Sequence, residues 1–124
     1  MSDAEIIERF ERADVEEFHH RDHVRTAFAY LRTMPLLEAI GRFTSALRRF
    51  AAAQGKPELY HETITWAFLF IMHERMQRAP SAWEAFIAEN GDLLRWKPSV
   101  LDAYYPPELL RSELARRVFV LPHA

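Results

Sequence analysis

Three long stretches of this chain repeat apolar residues at positions three and four apart. Residues 15–32, 36–53 and 58–77 each carry such a stripe, and breaks containing Pro or Gly separate them. This spacing matches the 3.6-residue turn of an α-helix, whereas the alternation typical of half-buried strands is nearly absent. The pattern therefore predicts an all-α fold, a small bundle of three main helices.

The last third of the chain predicts shorter helices. Ser81 and Glu84 are spaced as in a capping box, which predicts a short helix that ends near Asn90. Further helical turns are expected in residues 97–105, 107–110 and 112–117. The apolar residues 118–121 are expected to pack back on the bundle.

Length and composition predict a single helical domain over residues 1–124, with enough chain to bury one core. Lys and Arg number 16 against 18 Asp and Glu, so the net charge of −2 favours neither nucleic acid nor an anionic membrane as a partner. The longest apolar run, residues 66–72, is too short to span a bilayer. The acidic N-terminus also lacks the layout of a secretory signal, so we expect a soluble cytoplasmic protein.

Several kinds of chemistry are excluded because their residues are missing from the sequence. The chain contains no cysteine, which rules out disulfides, thiolate metal ligands and a thiol nucleophile. It also contains no Gly-x-Ser-x-Gly element and no phosphate-binding glycine loop. Any metal must therefore be held by His, Asp or Glu.

Histidine is concentrated near the starts of two predicted helices. His19, His20 and His23 lie in the first helix, and His61 lies in the third. Imidazole is the commonest metal ligand in proteins and the usual acid or base near neutral pH. A helix turns by about 100° per residue, so His20 shares the apolar face and His23 lies about 60° to one side. His20 and His23 therefore form the best pair, and His19 with His23 the second.

The third helix is expected to bring another imidazole to the same place. At helical spacing, His61 aligns with Thr65, Phe68 and Met72 on the apolar stripe. An up-down-up chain path would make the first and third helices parallel and place both histidine groups at one level of the bundle. His73 lies about 18 Å further along the axis, which is too far for the same site.

These positions predict one site for a divalent metal ion. Three nitrogen ligands would come from His20, His23 and His61. Glu62 would be a fourth ligand or the acid/base beside the metal. Zinc, iron and copper all suit such a set, which does not decide between them.

Three further residues complete the predicted site. Tyr60 and Thr65 would support it, and Arg25 would bind an anionic substrate, although a solvated helix face explains Arg25 equally well. His73 and His123 are interpreted as structural or surface groups, and the role of His19 stays open.

Two segments resemble a known family. Residues 18–25 (Phe-His-His-Arg-Asp-His-Val-Arg) and 60–65 (Tyr-His-Glu-Thr-Ile-Thr) are similar to an uncharacterised family of short bacterial helical proteins. That family carries a His-x-x-His-x-Arg element, an arginine-rich helix, which residues 47–53 match, and a Tyr-His-Glu-Thr element. The resemblance spans roughly residues 18–70 and brings no established activity. It implies that the site contains His20, His23, His61 and Glu62.

The leading hypothesis is a small metal-dependent enzyme that acts on a small-molecule substrate. Its reaction would be hydrolytic or lyase-like with zinc, and oxidative with iron or copper. The alternative is a non-catalytic helical module that binds a ligand or partner and contains a buried histidine network. A third hypothesis is histidine acid/base catalysis without a metal. The oligomeric state stays open and includes a homodimer.

Overall fold

The computed structural model describes residues 1–122, and its chain divides into two compact units, Met1–Tyr60 and His61–Ala124. Within the described residues there are seven α-helices, several 3₁₀ turns and no β-strand, so the all-α prediction is confirmed. The single domain and the bundle of three main helices stay predictions. The interpretation of His123 lies outside the described residues.

The first unit begins with a helix that the sequence patterns did not predict. Helix α1 spans Asp3–Glu11. Its N-terminus is closed by a capping box in which Ser2 Oγ accepts from the Glu5 backbone N–H and Glu5 accepts from the Ser2 N–H. A helix of 9 residues carries too short an apolar stripe to stand out by periodicity.

The next two helices follow the predicted stripes, with one correction. Helix α2 spans His20–Thr33, so the predicted start at residue 15 was wrong. The Asp22 carboxylate accepts from the His19 backbone N–H at 3.0 Å, which fixes the helix start at that point. Helix α3 spans Leu36–Ala53, as predicted, and a 3₁₀ turn over Pro57–Leu59 follows it.

An aromatic cluster fills the core of the first unit. The Phe10 ring lies 4.7 Å from Phe18 and 5.6 Å from Phe43, measured between centroids. Tyr30 is fully buried, and its hydroxyl donates to the Glu11 carboxylate at 2.9 Å. Helix α1 therefore packs on α2 and α3 through both aromatic and polar contacts.

The second unit is built around one long helix. Helix α4 spans Glu62–Arg78, α5 Trp83–Glu89, α6 Pro107–Leu110 and α7 Glu113–Arg117, with 3₁₀ turns over Gly91–Leu94 and Val100–Ala103. The expected start of the long helix at residue 58 was wrong, because the preceding 3₁₀ turn occupies that region.

Two smaller predictions in the second unit have different outcomes. The predicted capping box at Ser81 was wrong, since the N-cap of α5 is Ala82 and makes no side-chain hydrogen bond. Within residues 118–121, the Phe119 ring stacks on Trp66 of α4 with centroids 5.5 Å apart, whereas Leu121 is exposed, so the segment contacts a helix in part and its packing on a bundle stays a prediction. Of the helices described, none combines the length and apolar character that crossing a membrane requires.

Candidate functional site

The start of α2 carries three of the predicted histidines. His19 is the N-cap residue, His20 is the first helical residue and His23 lies one turn further along. His19 is exposed, whereas His20 and His23 are half-buried. The helix start therefore separates His19 from the other two, and the preference for the His20/His23 pair stays a prediction.

His23 has an altered pKa because of its surroundings. Its ring lies 4.1 Å from the Phe18 ring, measured between centroids. Burial is the main cause that lowers the pKa of His23 to about 4, and the neighbouring His20 lowers it further. The His23 imidazole is therefore neutral at physiological pH and lies close enough to His20 to feel its charge.

His19 makes a surface contact. Its Nε2 lies 3.3 Å from a carboxylate oxygen of Glu17, and both side chains are largely exposed. An exposed pair of this kind contributes little to folding stability.

His61 occupies a different position from the one predicted. It is the N-cap of α4, with φ −130° and ψ 111°, and therefore lies before the helix rather than on its apolar stripe. The expected alignment with Thr65, Phe68 and Met72 was wrong for this reason.

Both ring nitrogens of His61 have partners within the second unit. Nδ1 accepts from the Ile64 backbone N–H at 3.1 Å, and Nε2 lies 2.7 Å from the Leu110 carbonyl oxygen. Since Nδ1 is the acceptor, Nε2 carries the proton and donates to Leu110. In this geometry the imidazole caps one helix and binds the end of another, and neither nitrogen is left to coordinate a metal.

The threonines that follow His61 also make structural contacts. Thr63 is fully buried, and its hydroxyl donates to the Val118 carbonyl at 2.8 Å and accepts from the Val120 N–H at 3.1 Å. Thr65 Oγ1 donates to the His61 carbonyl at 2.7 Å. His61, Thr63 and Thr65 thus organise the start of α4 and its contact with the C-terminal segment.

The role of Thr63 was missed from the sequence. Its two partners lie 55 and 57 residues away along the chain, so no local pattern connects them. The available signal was a polar residue in the first turn of a mostly apolar helix, because a buried hydroxyl requires hydrogen-bond partners.

Arg25, predicted to bind an anionic substrate, contacts a carboxylate of its own unit. Its Nη2 lies 3.0 Å from Asp3 Oδ1, and its guanidinium lies 5.8 Å from the centroid of the Phe28 ring. Arg32 binds the other oxygen of Asp3 at 2.7 Å. The ion pairs attach α1 to α2, and the substrate role of Arg25 stays a prediction.

Tyr60 and Glu62 lie on either side of the boundary between the two units. The Arg48 guanidinium lies 4.7 Å from the centroid of the Tyr60 ring, which is a cation–π contact. Glu62 is the first residue of α4, where the helix dipole favours a negative charge. Their predicted catalytic roles also stay predictions.

The predicted metal ligands are not seen as a group in the described residues. Among residues 1–122 there is no group of three or more His, Asp or Glu side chains arranged to hold a metal ion. His73, on α4, is half-buried.

The chain matches no family model, no curated protein and no solved structure, and its resemblance to a bacterial family stays a prediction.

Proposed function

We propose that this protein is a non-catalytic helical module that binds a small ligand at the His20/His23 pair. The observation that carries the proposal is the hydrogen bonding of His61, whose two ring nitrogens have partners in its own unit. Coordination of a metal by Nε2 of His61 would have to break its bond to Leu110. Without His61, only His20 and His23 remain of the three predicted ligands, and we therefore favour a binding role that needs no metal.

The surroundings of the His20/His23 pair suggest the chemistry of the ligand. The neutral imidazole of His23 offers one hydrogen-bond donor and one acceptor. Phe18 provides an aromatic surface in contact with that ring. A ligand that joins an aromatic ring to a hydroxyl group complements both features, and phenol is the simplest probe.

The binding proposal is tested by titrating phenol into the protein while observing the histidine ring resonances by NMR. We expect the His20 and His23 resonances to shift until the site is saturated. The variant His23→Phe keeps an aromatic ring against Phe18 and should abolish the shift of the remaining His20 resonance. His19→Ala is the matched control and should bind normally. Toluene lacks the hydroxyl, so an equal response to toluene would contradict the proposal, as would unshifted His20 and His23 resonances.

A metal-dependent enzyme is the second candidate, and one observation favours it. A metal binds imidazole in its neutral form, which is the form in which His23 is held. His20 and His23 would be two ligands, with zinc, iron or copper as the metal and a small molecule as the substrate. His61 could serve as a metal ligand only after releasing the Leu110 carbonyl.

Metal analysis of protein purified without a histidine tag separates the two candidates. One equivalent of metal that is lost in folded His61→Ala would support the enzyme. Metal-free protein whose melting temperature is unchanged by chelator or by added zinc, iron or copper would support the binding module.

A further inference from the structure

The second unit contains the only asparagine of the chain, Asn90, and a glycine follows it directly. An Asn-Gly pair loses ammonia more readily than other asparagine sequences, because glycine has no side chain to hinder attack by its backbone nitrogen on the neighbouring amide carbon. Gly91 is exposed, and a Cβ added there would meet no atom within 4 Å. The chemically labile pair is therefore accessible to water.

Each polar atom of Asn90 has a hydrogen-bond partner. Its backbone N–H donates to the Ile87 carbonyl at 3.3 Å, and its carbonyl accepts from the Leu93 N–H at 3.0 Å. In the side chain, Oδ1 accepts from Arg75 Nη1 at 3.2 Å and Nδ2 donates to the Phe86 carbonyl at 2.8 Å. Asn90 thus ends α5 and begins the following 3₁₀ turn with both its backbone and its side chain held.

The backbone at Asn90 also keeps the reacting atoms apart. Its φ is −128° and its ψ is 41°. At this ψ, tetrahedral geometry at Cα turns the Gly91 nitrogen to the opposite side from the Asn90 Cβ, whereas the ring of a succinimide needs both on the same side. Closing the ring requires rotation about ψ, so the carbonyl and the side chain of Asn90 cannot both keep their partners.

Arg75 of α4 fixes the side-chain half of this arrangement. Its guanidinium is itself bound to Asp92, through Nη1 to Oδ1 at 2.7 Å and Nη2 to Oδ2 at 2.9 Å. A paired guanidinium of this kind has a defined orientation, so its third bond, to Asn90, opposes movement of the amide. The Asn90 amide can react only after leaving Arg75.

We propose that Asn90 is a deamidation site that the folded turn keeps unreactive and that reacts when this turn opens locally. In the open turn, the Gly91 nitrogen gives up its proton to hydroxide and bonds to Cγ of Asn90. The bond from Cγ to Nδ2 then breaks, and this nitrogen leaves as ammonia with a proton from water. Water opens the resulting succinimide and leaves aspartate or isoaspartate at position 90. The site is independent of the histidines on α2.

The product cannot rebuild the same turn. A carboxylate has no proton to donate to the Phe86 carbonyl at neutral pH, and isoaspartate adds a methylene group to the main chain where α5 meets the 3₁₀ turn. Deamidation therefore converts a transient opening into a permanent change at the end of α5.

The experiment incubates the protein at mildly alkaline pH, folded and in urea, and follows conversion of Asn90 by peptide mass spectrometry. We expect the folded protein to react at least about tenfold more slowly than the unfolded chain. Gly91→Ala meets no clash in the fold and should suppress the reaction in urea, as the succinimide route requires. Equal rates in the folded and the unfolded protein would overturn the proposal.

Variants of the folded protein test whether the opening is local. Arg75→Gln removes the donor to Asn90 and should speed the reaction by on the order of tenfold. Asp92→Asn leaves that donor in place and should change the rate less. Thr63→Val weakens the unit far along the chain from this turn and should leave the rate unchanged. An Arg75→Gln rate equal to that of the wild type, or an equal acceleration in Thr63→Val, would contradict protection by the turn.

Discussion

The two helices that begin near histidines, α2 and α4, satisfy their first backbone amides in different ways. At α2 a carboxylate takes part in the cap, since Asp22 accepts from the His19 N–H. At α4 the imidazole of His61 is itself the cap and also binds Leu110. Both ring nitrogens of His61 are thus committed to bonds within the second unit, whereas a carboxylate takes part in closing α2.

The largest expected effect comes from Thr63, in the first turn of α4. Thr63→Val keeps the shape of the side chain but leaves the Val118 carbonyl and the Val120 N–H without their partner. We expect the free energy of unfolding to fall by about 2–4 kcal/mol, measured by urea denaturation. Thr65→Val is the control and should cost less, because the His61 carbonyl retains its bond from the Thr65 backbone N–H. Equal losses would contradict this account.

The pH dependence of stability tests the other helix start. His23 has a pKa of about 4 in the folded protein against an ordinary value of 6.5, so the unfolded chain binds the proton first as the pH falls. The contribution of His23 to the free energy of unfolding is complete above pH 6.5 and is lost as the pH falls towards 4. The expected loss is on the order of 2–3 kcal/mol, followed by urea denaturation at each pH.

The control for that prediction is His23→Gln, which cannot titrate in this range. The variant should show a flatter dependence of stability on pH between 6.5 and 4.5. The same slope in both proteins would mean that His23 is not held neutral by its surroundings.

The capping role of His61 predicts an intermediate effect. His61→Ala removes the acceptor for Ile64 N–H and the donor to Leu110, and we expect a loss of about 1–2 kcal/mol in thermal or urea unfolding. His61→Asn restores a capping acceptor and should recover part of the loss. A His61→Ala variant as stable as the wild type would show that the imidazole does not cap α4.

The smallest effects are expected among the capping residues of α2. Asp22→Ala removes the acceptor for the His19 N–H and should cost about 0.5–1 kcal/mol. His19→Ala removes only an exposed contact with Glu17 and should change stability by less than about 0.5 kcal/mol. If His19→Ala costs more than Asp22→Ala in the same denaturation assay, the carboxylate is not the group that closes this helix.

Much of the helical content could be predicted from periodicity, and the exceptions have physical causes. Helix α3 was predicted with its observed bounds because a long stripe lies between Pro35 and the break at Gly55. Helix α1 was missed because two buried apolar residues, Ile7 and Phe10, make too short a stripe. The starts of α2 and α4 depend on single side-chain bonds that periodicity does not contain.

The candidate site was predictable only in part. The proximity of His20 and His23 follows from their spacing on one helix, and the influence of His20 on the pKa of His23 agrees with it. The neutral state of His23 depends on burial beside Phe18. The hydrogen bond made by Nε2 of His61 depends on the Leu110 carbonyl, which lies 49 residues further along the chain. Neither contact leaves a local trace in the sequence.

By itself, the sequence determined that this chain is helical and which residues share a helical face, because backbone geometry repeats every 3.6 residues. The tertiary structure decided which polar side chains are already satisfied. Thr63, His61 and Trp66 differ in this respect although all lie within the first turns of α4 or at its cap: the first two have partners and the Trp66 indole N–H has none in the described chain. Hydrogen bonds are made between groups that folding brings together, so only the folded chain reveals which donors and acceptors remain for a ligand.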